Sequence, residues 1–432
     1  MTFSITKTTI AKAFLLVVAV IYVIFARNNV VSDLLWLSNN KLGGTLISKA
    51  LIIGVLMLTC SAYFLFFYSQ KIFTSQFFGF FLIWTIIVTV NLCFNTDYVN
   101  VYYINYYKDN VLMGAINYSL QQVFIHLFLF IFFYSVFKYY GDSLQTLFTY
   151  IVVGWYVIIA LAYSENFLAF GALAVAGHSN LLGTSYVLLY SLPLALCLKK
   201  KHLKWFCVIL GAIVVLSSIK RGGIIGYAFA MMTYYFVKNY YIKRSKHFYR
   251  NLIIFAILFI SGVILYGILV KDSIIDVIIA RIGSMSEDKG SGRLTVLIYM
   301  IKYIPELTLG QILVGSGYLA STLVSPIGHA AHNEFVEVFY NYGLIGLIVY
   351  IWFWVLVLMK LRYFIKQKSE YAAPFAAGVA LLVVLSMISI IIIYPFFAWY
   401  AIIIGVFDGM TYYKKENYIN NINNENRNFN IS

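Results

Sequence analysis

Residues 329–359 read HAAHNEFVEVFYNYGLIGLIVYIWFWVLVLM. Within this stretch the chain passes from a segment bearing histidine and glutamate into residues 342–359, which carry no charged group. A run of that length and composition suits a helix crossing hydrocarbon, which needs roughly 20 apolar residues. The polar side of the switch belongs to residues 271–342, the one long polar interruption in an otherwise almost continuously apolar chain. That interruption holds seven of the sixteen acidic residues: Asp272, Asp276, Glu287, Asp288, Glu306, Glu334 and Glu337. Charge is expensive beside hydrocarbon, so its concentration in one segment marks where chemistry is to be sought.

Working outward, the whole chain has the same character. Its 432 residues are 62% apolar and 11% charged, with mean hydropathy +0.85, too little polar surface to cover a soluble protein. About twelve apolar runs are long enough to be read as spans: 9–26, 49–69, 76–95, 117–137, 145–163, 181–198, 205–219, 222–237, 251–270, 342–359, 372–393 and 396–413. The first has Lys7 and Lys12 ahead of it and no A-x-A-like site behind, and reads as an uncleaved helix. The expected fold is an all-α polytopic membrane protein. Residues 1–270 carry the first nine helices, 271–342 one long helical outer loop, 343–415 the last three helices, and 416–432 a disordered Asn-rich tail. Cys60, Cys93, Cys197 and Cys207 fall in apolar runs without metal-ligand spacing and read as small packing residues.

The net charge of +15 is a topology signal, not a nucleic-acid footprint. With the amino terminus inside, 20 of the 31 basic residues fall on the inner side, among them Lys138, Lys199, Lys200, Lys201, Lys204, Lys238, Lys360 and Lys414. Such bias in short loops sets orientation and favours anionic inner-leaflet lipid. Both termini are then cytoplasmic and the 271–342 loop faces outward. Runs 205–219 and 222–237 are short, and basic clusters lie on both flanks of the pair. The pair is therefore a hairpin or a re-entrant loop, with Lys220-Arg221-Gly222-Gly223 at or below the outer turn.

Within the loop, Leu294, Leu297, Ile298, Ile301 and Ile304 recur at helical spacing, predicting an amphipathic helix along the membrane surface. A second short helix is expected over 331–341, with Phe335, Val336 and Phe339 on one side, before Gly343 admits the next span. Gly315-Ser316-Gly317 fits a turn better than a phosphate cradle.

Arg293 opens the surface helix, where exposed N–H groups favour anions and a guanidinium grips phosphate bidentately. Its bland alternative is an interfacial arginine reaching headgroups. Arg221, between two apolar runs, needs a partner: a phosphate-bearing lipid, or a carboxylate such as Glu334 or Glu337. Lys220 is its adjacent alternative. His332 is the candidate general base, since a neutral imidazole can take a proton from a sugar hydroxyl. His329 competes for that role, and Glu334 or Glu337 could orient the ring. His329-x-x-His332 lacks the one-turn spacing of a helical metal site, so no metal is expected.

The segment His332-Asn333-Glu334-Phe335-Val336-Glu337, followed by Tyr342-Gly343-Leu344-Ile345-Gly346, resembles the signature of the O-antigen ligase and polymerase superfamily. Three further segments fit in the same order: His178-Ser179-Asn180-Leu181-Leu182-Gly183, Ser217-Ser218-Ile219-Lys220-Arg221-Gly222-Gly223, and Ser291-Gly292-Arg293-Leu294. The resemblance covers roughly 178–350, while the first five spans match only in hydropathy. It implies a GT-C-like helical enzyme of the bacterial inner membrane, acting outside on glycans linked to undecaprenyl pyrophosphate, without cofactor or metal. Arg221 and Arg293, with Lys220 in reserve, would then hold the donor pyrophosphate, and His332 would activate the acceptor hydroxyl. Asn333, Glu334, Glu337, His329 and Asn180 would support the site. Lys220 departs from the Thr or Ser that related proteins often place before the arginine. Implied partners are the lipid-linked oligosaccharide and the bilayer, with a chain-length regulator and a flippase nearby. A Wzy-type polymerase is the expected activity. Ligase to lipid A–core is the alternative within the family, and a lipid-linked oligosaccharide flippase the alternative of another class.

Overall fold

The computed structural model describes residues 6–38, 42–67, 74–94, 125–177, 183–218, 221–242, 293–317, 320–325, 330–388 and 397–429, with Arg250, Ile253, Ile257 and Ile392. Thirteen α-helices are defined among them. They are α1 (Lys7–Ser38), α2 (Leu42–Phe66), α3 (Gln76–Phe94), α4 (Ile125–Gly177), α5 (Gly183–Leu196), α6 (Lys201–Ser217) and α7 (Arg221–Phe236). After these come α8 (Arg293–Tyr303), α9 (Leu309–Val314), α10 (Ala320–Val324), α11 (Glu334–Lys366), α12 (Ala372–Ile388) and α13 (Phe397–Phe429). No strand occurs among the described residues.

Among the described residues four helical segments are long and apolar enough to cross a membrane: Lys7–Arg27, Gln76–Cys93, Ile125–Ser164 and Glu334–Lys366. Outward apolar side chains agree: Ile348, Ile351, Val355 and Leu358 line one open face of α11, and on the shorter apolar α2 Leu58 is 71% exposed and Leu65 80%. Such rows would be costly in water and are ordinary against lipid. The chain is a helical membrane protein.

A straight α4 would be about 80 Å long at 1.5 Å per residue, yet Phe137 meets Phe148 with ring centroids 4.9 Å apart and Phe133 meets Trp155 at 6.4 Å. Residues that close in space and that far apart in sequence require the helix to fold back on itself between them. Residues 125–137, the described part of the run expected at 117–137, and the run 145–163 are thus the arms of one reversal. Close backbone approach draws α13 against the first arm. Cβ atoms on Gly405 and Gly409 would lie 2.9 Å from the Phe130 carbonyl and 2.6 Å from that of Tyr134. Small residues one turn apart serve this purpose where lipid supplies no hydrophobic drive. Helices α6 and α7 pair as a hairpin, with the Tyr227 hydroxyl donating to the Val208 carbonyl at 2.7 Å.

The basic residues gather at one end of the bundle. There Lys138 Nζ donates to Thr74 Oγ1 at 2.8 Å, Lys360 and Ser75 both bond Asp408, and Lys414 pairs with Glu370. Half-burial alone would raise the Glu370 carboxyl, but the Lys414 ammonium beside it and Lys199 nearby hold it below the usual carboxylate range. Asp408, 4% exposed, is an acidic residue deep in an apolar run that the hydropathy reading passed over.

At the other end α11 is interrupted. Gly343 has φ 66° and ψ −165°, separating a short helix, 334–342, from the span proper. The chain at 313–317 crosses this break. Ser316 N–H donates to the Tyr340 carbonyl at 2.9 Å, Gly317 N–H to Asn341 at 3.1 Å, and Asn91 Nδ2 to both Val314 and Asn341 carbonyls. The carbonyls freed by the break are therefore satisfied. Gly315-Ser316-Gly317 is a turn whose amides are already used.

Three expectations need correction. The short helix expected over 331–341 begins at Glu334, with residues 331–333 outside it, and it buries Glu334, Glu337, Val338 and Asn341 while Phe335, Val336 and Phe339 are half-buried. The acidic face turns inward because donors from other segments meet it there. Helix α13 continues to Phe429, so residues 416–429, read from composition as disordered, have helical backbone. Extending an existing helix avoids the cost of nucleation. Cys93 is exposed, unlike Cys60 and Cys207, so it is not a packing residue of the interior.

Gly315 and Gly343 pack reciprocally. A Cβ on either would fall 2.3 Å from a backbone carbonyl oxygen, Asn341 for the first and Leu313 for the second, at positive φ. Gly315→Ala and Gly343→Ala should each cost at least about 2 kcal/mol, read as a lowered melting temperature of the purified protein. Gly310→Ala, whose Cβ meets nothing within 4 Å, should leave it unchanged or higher. Equal melting temperatures for all three would refute the crossing.

Candidate functional site

The site is built where the polar segment meets α11. Asn333, in extended conformation, caps the helix by accepting the Val336 N–H on Oδ1 at 3.3 Å. This is the ordinary use of Asn at a helix start. His332, immediately before it, has φ 53°, one of two non-glycine residues in the left-handed region among those described. Holding a non-glycine residue there costs about 1–3 kcal/mol and persists only where its surroundings require it. The His332 side chain is half-buried.

Glu334 and Glu337, expected as supporting residues, are both 0% exposed. Glu334 Oε2 accepts the Tyr350 and Ser386 hydroxyls, each at 2.8 Å, and Oε1 accepts the Ile392 N–H. One carboxylate thereby ties the start of α11 to the middle of its own span, to α12 and to the chain beyond α12. Glu337 Oε2 accepts the Ser321 hydroxyl on α10, and its Oε1 accepts the Ala331 N–H; the backbone N–H of His332 also bonds this carboxylate. Each carboxylate already accepts from several protein donors. Glu337 reaches His332 through the backbone.

The arginine-bearing segments converge on the same end. Arg293 is the first residue of α8, as the spacing predicted, and the Tyr340 hydroxyl fixes that helix by donating to the Met300 carbonyl at 2.6 Å. Val296 and Met300 of α8 share a small apolar cluster with Ala331 and Tyr340. The buried face of α8 is therefore Val296 and Met300, while Ile298 and Ile301 point outward, 44% and 52% exposed. Arg221 is the first residue of α7. The next residue, Gly222, lies against Ile388 at the end of α12, and the Tyr186 hydroxyl is 3.2 Å from where its Cβ would be. Met387, adjacent to Ile388, lies 3.9 Å from Asn333 Nδ2. The start of α7 is thus linked to Asn333 through Met387 and Ile388, and the first turns of α8 to Ala331 through their shared cluster. Side chains of Arg221 and Arg293 are outside the described part of the molecule, and Lys220, His329 and Asn180 lie outside the described residues.

Sequence reasoning missed Ser321, Tyr350, Ser386 and the Ile392 amide. A serine in an apolar span and a tyrosine eight residues inside one are the signals that were present; their common partner was not. Among the described residues no three His, Cys, Asp or Glu side chains come together to hold a metal.

Glu334→Ala would leave the Ile392 amide without this acceptor and the Tyr350 and Ser386 hydroxyls with only each other at 3.2 Å, and should destabilise the fold by about 3–5 kcal/mol. Tyr350→Phe removes a single donor and should cost about 1–2 kcal/mol. Thermal melting in detergent ranks the two, and a Glu334→Ala protein as stable as the parent would exclude the staple.

Compared with protein-family models and with curated proteins, the chain matches none at a significant level.

Proposed function

We propose that this protein is a polymerase of lipid-linked oligosaccharide repeat units in the bacterial inner membrane. In this reading about twelve spans cross the bilayer, both termini are cytoplasmic, and the end carrying Glu334 and Glu337 faces outward. The observation that supports it is the convergence of three starts: α7 at Arg221, α8 at Arg293, and α11 just after His332. A helix start favours anions, and two of these begin with a guanidinium suited to phosphate. The outward Ile298 and Ile301 of α8 suit a helix lying at the membrane surface, where a lipid-borne donor arrives. The basic opposite end of the bundle suits the cytoplasmic leaflet.

The chemistry is an inverting glycosyl transfer. A hydroxyl at the non-reducing end of the incoming unit attacks the anomeric carbon of the growing chain. The bond from that carbon to the pyrophosphate oxygen breaks, and undecaprenyl pyrophosphate leaves with the electron pair. His332 takes the hydroxyl proton as the new bond forms. Arg221, with Lys220 beside it, and Arg293 hold the pyrophosphate as its charge grows. The glycosidic energy resides in the donor, so no nucleotide is consumed.

Deletion of the gene should leave lipopolysaccharide with one repeat unit on core and no ladder. Bare core, with glycan retained on the lipid carrier, would instead identify a ligase. Bare core, with single repeat units trapped on the inner face, would point to a flippase. His332→Ala should lower the transfer rate by about 10²–10⁴, and Arg221→Ala or Arg293→Ala by about 10²–10³, with the proteins inserted and abundant. A normal ladder from His332→Ala would remove the general-base role. Transfer by purified protein should survive EDTA.

A further inference from the structure

The general-base reading leaves open how His332 is held, and Glu337 answers it. Residues 331 and 332 present consecutive backbone N–H groups to one carboxylate, and the left-handed conformation of His332, φ 53°, sets the direction the chain takes from there into Asn333. Such a pair forms a concavity for an anion. Here the anion is internal: the Glu337 carboxylate accepts from Ala331 N–H and His332 N–H, and its other oxygen accepts from Ser321. Asn333 then turns back to extended conformation and caps the helix on which Glu337 itself stands. The turn is closed at both ends by side chains of the chain that follows or precedes it. Glu334, three residues earlier on the same buried face, serves Tyr350, Ser386 and Ile392 instead.

We infer that Glu337 is the positioning residue for His332, fixing through the backbone the left-handed turn from which the imidazole is presented. This rests on the proposed general-base role of His332. Glu337 touches no reacting atom. A carboxylate suits the task because both oxygens only accept, whereas an amide must turn one donor toward Ser321 or toward the two N–H groups. The orientation set by Glu337 matters to the chemical step and not to substrate capture.

The test uses the full-length protein in lipid vesicles with a lipid-linked repeat unit as substrate. Glu337→Gln should lower kcat about 10- to 100-fold, as loss of a supporting shell does, with KM changed less than about threefold. Glu337→Asp, which keeps an acceptor-only group, should recover part of the loss. In a His332→Gly background the same Glu337→Gln change should add less than about twofold, because no imidazole remains to be positioned. An equal loss in both backgrounds, or a loss confined to KM, overturns the positioning role, as does a fully active Glu337→Gln beside an inactive His332→Gly. A fully active His332→Gly would instead remove the general-base reading on which the inference stands. Should Glu337→Gln not yield folded protein, Ser321→Ala, which loosens the carboxylate from its other side, should lower kcat alone; no change in kcat overturns the inference.

Discussion

Two carboxylates, one helical turn apart and wholly out of solvent, organise the end of the bundle where the candidate site lies. A buried carboxylate is stable only if hydrogen bonds replace the water it has lost. Glu334 and Glu337 meet this condition by drawing donors from far along the chain: Tyr350, Ser386 and Ile392 for one, Ser321, Ala331 and His332 for the other. Each partner is thereby fixed relative to α11. The two groups use the same helix face in different directions, one toward the membrane spans and one toward the polar segment.

That arrangement depends on the break at Gly343. A continuous helix would carry residues 334–342 along the axis of the span and away from α10 and α12. The crossing of Gly315 and Gly343, too close for any side chain, turns the short helix and supplies amides for the carbonyls the break exposes. The same crossing explains why the acidic face is buried. Once the helix is turned, Glu334, Glu337, Val338 and Asn341 face protein while Phe335 and Phe339 lie at its margin.

Much of the fold was legible along the chain. Hydropathy marks apolar helices because lipid rewards nothing else, and the 3.6-residue spacing of 294–304 placed α8 with its start at Arg293. Lysine distribution separated the two ends of the bundle, and in the structure Lys138, Lys360 and Lys414 do gather at one of them. Less legible were features set by contact. The buried face of α8 is Val296 and Met300, and apolar residues stand on both sides of that helix, so periodicity alone could not choose between them. Asp408 was passed over because a single charge barely moves a window average, yet it is buried at the basic end and pairs there with Lys360.

For the site, the sequence by itself determined the kinds of residue present and their order: a histidine before an Asn cap, two glutamates one turn apart, arginines at two helix starts. Local spacing suffices for that, because helix geometry is periodic and caps are read from neighbours. Only the tertiary structure decided what each group does. It assigned Glu334 to the spans and Glu337 to the His332 turn, linked α7 and α8 to the same end of the bundle, and gave His332 its left-handed backbone. The physical reason is that a buried carboxylate is defined by the donors that reach it. Those donors, from Ser321 to Ile392, lie at sequence distances that no local pattern records.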